Sequence, residues 1–395
     1  MYKTINKLKK ISKNINIFML DNNELCVERS RKNNINDAFL YRLYYTEKES
    51  TQEKATIKLN KFKPKNNVSR QSLVKKENKL TIDFYEKLSK ILKNEIDKEF
   101  IDKYSTQIFA VDGTYPTFLN SLSNDGYKSN KTNGSVTPLV TGIFNITSNF
   151  PVMLHMTKDK NERKAFMELM KNNNEYENNI FVFDRGYLGE DFFNHMNKHN
   201  LFYICRIKEN SSYISKTHND IIIENNNNNK IRIINYKINN KNYYIATNLL
   251  NKNEHTISVL KQIYHKRWSI EEYFKYIKMN MNISKNNEKQ EKNIKKTLLA
   301  NLIISQIAFL FVNLNKSNKN KIVNKSILTT GLYDNFLYKL FTCYKFTKYF
   351  IMNFINIYVK YIGTNKNKSN KRICKRTNFK SYFKKYIKNV KSKNL

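Results

Sequence analysis

Cysteine is scarce in this 395-residue chain, and the four present, Cys26, Cys205, Cys343 and Cys374, lie far apart. The six histidines form no zinc-spaced group. These gaps exclude a zinc finger and a disulfide framework, and they fit a reducing compartment. Acidic residues are outnumbered, 33 against 71 Lys and Arg, which leaves a net charge of +38. Such a charge draws polyanions and suits a nucleic acid better than a membrane or a small neutral substrate. The abundance of Lys, Asn, Ile and Tyr also matches AT-rich coding DNA, so placement rather than number carries the functional argument. A long uninterrupted apolar run is missing too. The longest greasy segment, LLANLIISQIAFLFVNL (298–314), is broken by Asn301, Ser305 and Gln306 and reads as a buried core helix rather than a membrane span. The N-terminal MYKTINKLKKISKN lacks the apolar run of a signal peptide, so a secreted protein is not expected.

What is present is enough chain for one large domain and one or two smaller ones. Residues 1–35 are basic and weakly patterned, and DAFLYRLYY (36–44) reads as a helix. Ser50 with Glu53 makes a capping-box pattern, and Ser69 can cap a further helix after the basic turn KPKNN. Two helices with Arg70, Gln71, Lys75 and Lys76 turned outward match a helix-turn-helix DNA reader over 50–80, or else a plain helical domain with solvated lysines. Another helix is expected at 81–99. The pattern then changes to strand-like runs at 107–112, 135–147 and 150–156, a helix at 161–170, a strand at 179–184, a helix at 189–198 and a strand at 201–208. This order predicts a mixed sheet covered by helices, an α/β fold. Short β-branched and aromatic segments with Asn-rich turns from 213 to 248 predict a small all-β insertion. Helices return at 256–280 and 288–314. The resulting division is a helical region 1–100, a core in two parts (101–212 and 251–315), an insertion 213–250 and a basic C-terminal region 316–395. Residues 361–395 carry twelve Lys and Arg and no acid, as a DNA-contacting arm or a solvated end would.

Two apolar runs end in aspartate, VDG at Asp112 and FDRGY at Asp184. Strand ends of an α/β fold open into a crevice, so both acids can reach one place; each is otherwise an ordinary turn starter. Arg185 sits beside Asp184, which is expected to cap the next helix. In KQIYHKRWSIEEYFKYIKMN, residues Tyr264, Arg267, Glu271 and Lys278 are separated by 3, 4 and 7 positions. On a helix these offsets return near one face, because each residue advances about 100°. Ser269 with Glu272 makes another capping pattern, so the helix is expected to restart near Trp268. The stripe is either a row of weak salt bridges or one wall of a site. Two aspartates and a glutamate supply hard oxygen ligands for two divalent ions, Mg²⁺ with Mn²⁺ as a substitute, in phosphodiester chemistry. Arg267 and Lys278 would grip phosphates, Tyr264 would hydrogen-bond a phosphate or base, and Trp268 would pack or stack on an extruded base. Arg206 and Lys208, at the end of the 201–208 strand, are further candidate DNA contacts.

These residues resemble the DDE transposases of the IS4 insertion-sequence family. That family's signature, Tyr, two residues, Arg, three residues, Glu, six residues, Lys, stands intact as YHKRWSIEEYFKYIK. Its two aspartate motifs are similar to VDGTY and DRGY. The resemblance covers roughly 100–315 and implies an RNase H-like core with Asp112, Asp184 and Glu271 as metal ligands. It also implies a β-rich insertion before the glutamate helix, which accounts for the 87 positions from Asp184 to Glu271. It further implies nicking at transposon ends, joining into target DNA with a hairpin as one route, and a dimer holding two terminal inverted repeats. A tryptophan that supports a flipped base in the insertion of related enzymes has no counterpart, since Trp268 is the one tryptophan; Tyr213, Tyr243 and Tyr244 are the candidates to replace it. Two further readings are an inactive, transposase-derived DNA-binding protein and an RNase H-fold nuclease of other specificity. A DNA substrate places the chain in the cytoplasm or nucleoid of a prokaryote, or in a nucleus or viral factory.

Overall fold

The computed structural model describes residues 2–22, 34–101, 106–130, 134–171, 173–214, 219–283, 288–315, 321–342 and 347–363. The basic stretch expected to form an arm lies mostly outside them. Five helices come first: α1 (Tyr2–Asp21), α2 (Ile35–Tyr45), α3 (Gln52–Lys61), α4 (Arg70–Glu77) and α5 (Ile82–Ile101). Helix α1 corrects the reading of 1–35 as weakly patterned. Ile5, Leu8, Ile11, Ile15 and Met19 recur every three or four residues and are all buried, while the lysines between them dilute the stripe. Asn34 and Asp37 form the capping box of α2, exchanging two 3.0 Å hydrogen bonds. At α3 the cap is Thr51 rather than Ser50: the Thr51 hydroxyl accepts from the Lys54 amide at 3.2 Å. Ser69 caps α4 as expected.

The core is one eight-stranded mixed sheet. Its strands are β1 (Ile108–Thr114), β2 (Leu139–Asn145), β3 (Phe150–Thr157), β4 (Ile180–Phe183), β5 (Phe202–Ile207), β6 (Asp220–Glu224), β7 (Lys230–Ile238) and β8 (Lys241–Thr247). They lie in the order β3-β2-β1-β4-β5-β8-β7-β6. Strands β1, β4 and β5 run parallel, and the remaining pairs are antiparallel. The expected all-β insertion is therefore a continuation of this sheet, joined to it where Cys205 of β5 pairs with Ala246 of β8. Helices α6 (Glu162–Met170) and α7 (Glu190–Lys198) join successive core strands. Helices α8 (Ile257–His265), α9 (Trp268–Asn280) and α10 (Glu291–Leu314) follow the insertion.

Side chains alternate across a strand, and the alternation assigns the two faces. Phe109, Val111, Phe181 and Phe183 pack with Phe166, Phe192 and Phe193 of α6 and α7. Ala110, Val140 and Phe144 point the other way, into a core shared with α9, α10 and the N-terminal helices. Val182 and Ile204 meet Leu260 of α8 on that second face. Helix α10 is long and apolar enough to cross a membrane, yet it is buried along most of its length within the protein. It serves as the central rod against which β3, α2 and α5 pack. After it come α11 (Lys325–Gly331), a single π-turn, α12 (Leu337–Thr342) and α13 (Lys348–Tyr358). Strands β9 (Lys321–Val323) and β10 (Tyr361–Gly363) pair in a separate two-stranded sheet.

One polar node ties α2 and α4 to α10. Arg42 forks onto Glu77, with Nε–Oε1 at 3.0 Å and Nη2–Oε2 at 2.6 Å, and its Nη1 reaches Glu288 at 2.6 Å and Thr297 at 3.0 Å. Lys296 donates to the Glu77 carbonyl at 2.9 Å, and Tyr85 donates to Glu77 Oε1 at 3.0 Å. All five charged and phenolic groups are buried. Breaking such a node on one side strands the opposite charge. Replacing Arg42 with Met is expected to lower unfolding stability by about 3–5 kcal/mol in urea titrations. A loss under about 1 kcal/mol would mean that the node contributes little to holding these helices together.

Candidate active site

Strands β1 and β4 are parallel neighbours in the middle of the sheet, with Ala110 opposite Val182. Two residues further on are Asp112 and Asp184. By the alternation both belong to the face that carries α8 and α9, at the carboxyl end of the strands. The Asp184 backbone carbonyl accepts a hydrogen bond from the buried Cys205 thiol at 3.1 Å, which anchors the end of β4 to β5. Asp184 does not cap α7; that position belongs to Gly189, with no side-chain cap.

Helix α9 crosses this face over β1 and β2. Its close approach depends on Gly142, the β2 residue paired with Asp112. A Cβ there would stand 2.7 Å from the Phe274 ring and 3.4 Å from Ile270. The break expected near Trp268 occurs at Lys266–Arg267, between α8 and α9. No side-chain cap forms at its start, so Ser269 does not play the part its spacing with Glu272 implied. Tyr264 therefore lies in the last turn of α8, while Glu271 lies in the first turn of α9, where the helix dipole favours a carboxylate.

Arg267, at the break, is buried and holds the charge of the site. It forms an ion pair with Glu271, and its Nη1 lies 3.8 Å from Asp112 Oδ2. Burial works against its charge, but Tyr264, Glu271 and Asp184 together bind the proton more firmly than usual. Asp112 is pushed up to about 6, chiefly by burial, with Glu162 and Glu271 adding to the rise and the Gly113 amide and Arg267 opposing it. The Gly113 amide donates to Asp112 Oδ1 at 2.9 Å. Lys278, exposed further along α9, is lowered by partial burial, while Asp112 acts in the opposite direction. Its ammonium lies 6.0 Å from the Phe274 ring centre. Tyr264 is raised by burial, and Arg267 opposes that rise.

Beside the acids is a cavity of about 310 Å³ lined in part by Arg206, Tyr236, Tyr243, Lys261, Tyr264 and Trp268. Tyr236 and Tyr243 stack at 5.7 Å, and the Arg206 guanidinium lies 4.8 Å over the Tyr243 ring. Trp268 is 56 % exposed at its rim. Of the three tyrosines considered as a base support, only Tyr243 lines this cavity. Tyr213 is tied to Glu190 at 2.9 Å, and Tyr244 packs on the opposite face of the sheet. Arg185 and Lys208 are exposed. Arg70, paired with Glu53, and Lys75 lie on α4, away from the elements that build the site.

The sequence family described as the transposase DDE domain matches residues 103–307, just over half of the chain. The chain belongs to this family. The eight-stranded mixed sheet and its flanking helices are consistent with the RNase H-like fold expected of a DDE transposase domain. No curated protein matches the sequence. Among solved structures, the chain is similar to one reported as a cryo-EM structure of the piggyBac transposase synaptic complex with hairpin DNA. The TM-score is 0.42 and the identity 10 %, over 90 % of this chain and 82 % of that one.

The DDE domain's oxygen donors suit a hard divalent cation. Among the described residues, however, no three His, Cys, Asp or Glu side chains are close enough together to hold a metal ion, and Arg267 contacts both Asp112 and Glu271. Two residues near the acids were not picked out from the sequence. Glu162 opens α6 and influences Asp112, and Tyr187, of the DRGY motif, is buried with its hydroxyl directed toward Glu162. A strand–turn–helix reading places Glu162 on α6 but gives no hint that α6 begins beside β1.

The raised Asp112 has a stability consequence with a definite sign. Its contribution favours the fold below the ordinary carboxylate value near 4 and is lost as pH rises through about 6. In EDTA, Asp112→Asn should therefore be more stable than the parent at pH 8, by roughly 1–3 kcal/mol, with the gap closing at pH 4. Thermal melts across that range test this, and equal stability at pH 8 would remove the electrostatic cost assigned to Asp112.

Proposed function

We propose that this DDE-domain protein is an IS4-type transposase that cuts and joins the ends of a mobile element, with Asp112, Asp184 and Glu271 holding two Mg²⁺ ions. The observation that carries the reading is that two aspartates leave neighbouring parallel strands on one sheet face while α9 brings Glu271 and Arg267 across it. The intact Tyr264, Arg267, Glu271, Lys278 spacing supports the IS4 assignment. Mn²⁺ would serve as a substitute ion. When bound, the ions would activate the attacking water or 3′-hydroxyl and stabilise the leaving 3′-oxygen.

The chain's own residues supply the rest. Arg267 offers a planar fork to a phosphate, and Lys278 a mobile point charge. The aromatic cavity beside them suits a base turned out of the duplex, with Trp268 and Tyr243 as stacking surfaces and Arg206 at its edge. Arg185 and Lys208 are exposed for backbone contacts, and the α3–α4 pair with Arg70 and Lys75 would grip DNA as a helix-turn-helix. Joining two ends requires two copies of the chain on terminal inverted repeats, acting where the host keeps its DNA.

Incubation with the element's terminal DNA and Mg²⁺ should give cleavage at the element boundary on a denaturing gel. Glu271→Gln should reduce it about a thousandfold or more while leaving DNA binding in place. Binding without cleavage in Mg²⁺ or Mn²⁺ would favour an inactive DNA-binding protein, and cleavage indifferent to the ends a general nuclease. Arg267→Lys keeps the charge but loses the fork, so it should cleave poorly despite folding.

A further inference from the structure

We infer that Arg267 is an internal counter-cation: it keeps Asp112 and Glu271 from receiving a metal ion until a DNA phosphate in the neighbouring cavity draws its guanidinium away. The inference rests on the metal-dependent reading above and concerns when that site opens.

The acids as they stand do not fit a metal ion, since among the described residues no three of them gather closely enough. The Arg267 guanidinium lies between them instead. Its Nη2 donates to Glu271 Oε1, and its Nη1 lies 3.8 Å from Asp112 Oδ2. Asp184 is near enough to act on the same charge. One arginine thus answers to every acid of the motif.

Helix chemistry alone does not put a guanidinium there. Arg267 is the residue before α9, and its side chain forms no cap. A cation at a helix N-terminus opposes the dipole, and an arginine free to choose would turn toward water. This one is only 8 % exposed, so it carries a desolvation cost as well. Carboxylates at neighbouring strand ends offset both, because they repel one another unless a cation lies between them.

A second position for the side chain is already built. Arg267 also lines the aromatic cavity, together with Arg206, Lys261 and His265. Among the described residues no carboxylate lines that cavity, so the anion it suits comes from outside the chain. Tyr264 lines it too, with its ring centre 5.9 Å from the Arg267 guanidinium carbon. A phosphate there competes with Glu271 and Asp112 for one planar fork, which binds phosphate and carboxylate equally well in geometry. With the fork on phosphate the acids are released, and with the acids occupied the fork is released. Phosphate and metal therefore bias one side chain in the same direction, and each strengthens binding of the other.

The test is Mn²⁺ titration of the full chain without DNA, read from the electron paramagnetic resonance signal of free Mn²⁺. The samples are the parent, Arg267→Gln, Lys278→Gln, and Arg267→Gln combined with Asp112→Asn. Arg267→Gln should bind Mn²⁺ about tenfold more tightly than the parent, or better. Adding Asp112→Asn should remove that gain. Lys278→Gln removes an equal charge that senses Asp112 from further along α9, and it should change the affinity by about threefold or less. Should circular dichroism show Arg267→Gln unfolded, Arg267→Lys decides: an ammonium lacks the fork that spans both acids, so its affinity should also rise. Parent-like affinity in the folded Arg267 variant, or an equal gain from Lys278→Gln, would overturn the role of Arg267 and leave the metal-dependent reading standing. No Mn²⁺ bound by any variant, even with terminal-repeat DNA added and beyond what that DNA binds alone, would overturn both.

Discussion

Acidic groups gathered at the end of a sheet repel one another, and the arrangement of this protein follows from how that repulsion is contained. Two carboxylates a few ångströms apart cost several kcal/mol at an effective dielectric near 20. Arg267 meets that cost from a helix break, facing Asp112 on one side and binding Glu271 on the other. The break gives the arginine its position: a continuous α8–α9 helix would carry residue 267 on a regular helical face. Gly142 and Gly113 serve the same end by absence, one admitting the ring of Phe274 and the other the carboxylate of Glu162. Charge, helix break and missing side chains form one device for packing acids together.

Much of this was legible before any coordinates. The strands ending at Asp112 and Asp184, the insertion and the helix carrying Glu271 follow from period-two and period-3.6 patterning, which reports burial directly. The helix restart was visible too, although from a capping pattern that the structure does not use. What was not legible depends on distance through space. Glu162 is 50 positions from Asp112, and nothing in its surroundings distinguishes it from any helix-opening acid. Gly142 reads as an unremarked residue inside a strand until its pairing with Asp112 is known. Helix α1 escaped notice because frequent Lys and Asn blur the contrast between its faces, an effect of composition rather than of folding.

The same sheet also supplies the site's apolar wall. Strands β7 and β8 could have formed a separate lobe; instead, by pairing onto β5, they bring Tyr236 and Tyr243 beside Arg206. An insertion that continues the sheet adds binding surface without a hinge. The aromatic cavity and the carboxylates therefore share one rigid support.

The buried node of Arg42, Glu77, Glu288 and Lys296 has a mechanical meaning as well as an energetic one. It fastens α2 and α4 to α10, the rod on which the sheet edge also rests. Helices joined to a core by a flexible tether would let the chain measure DNA only loosely. If α3 and α4 hold DNA as proposed, this clamping would make them a fixed ruler: a duplex on their surface would meet the carboxylates at a set number of base pairs and a set rotational phase. The spacing between the sequence such a protein recognises and the bond it breaks would then be built into the packing of its helices.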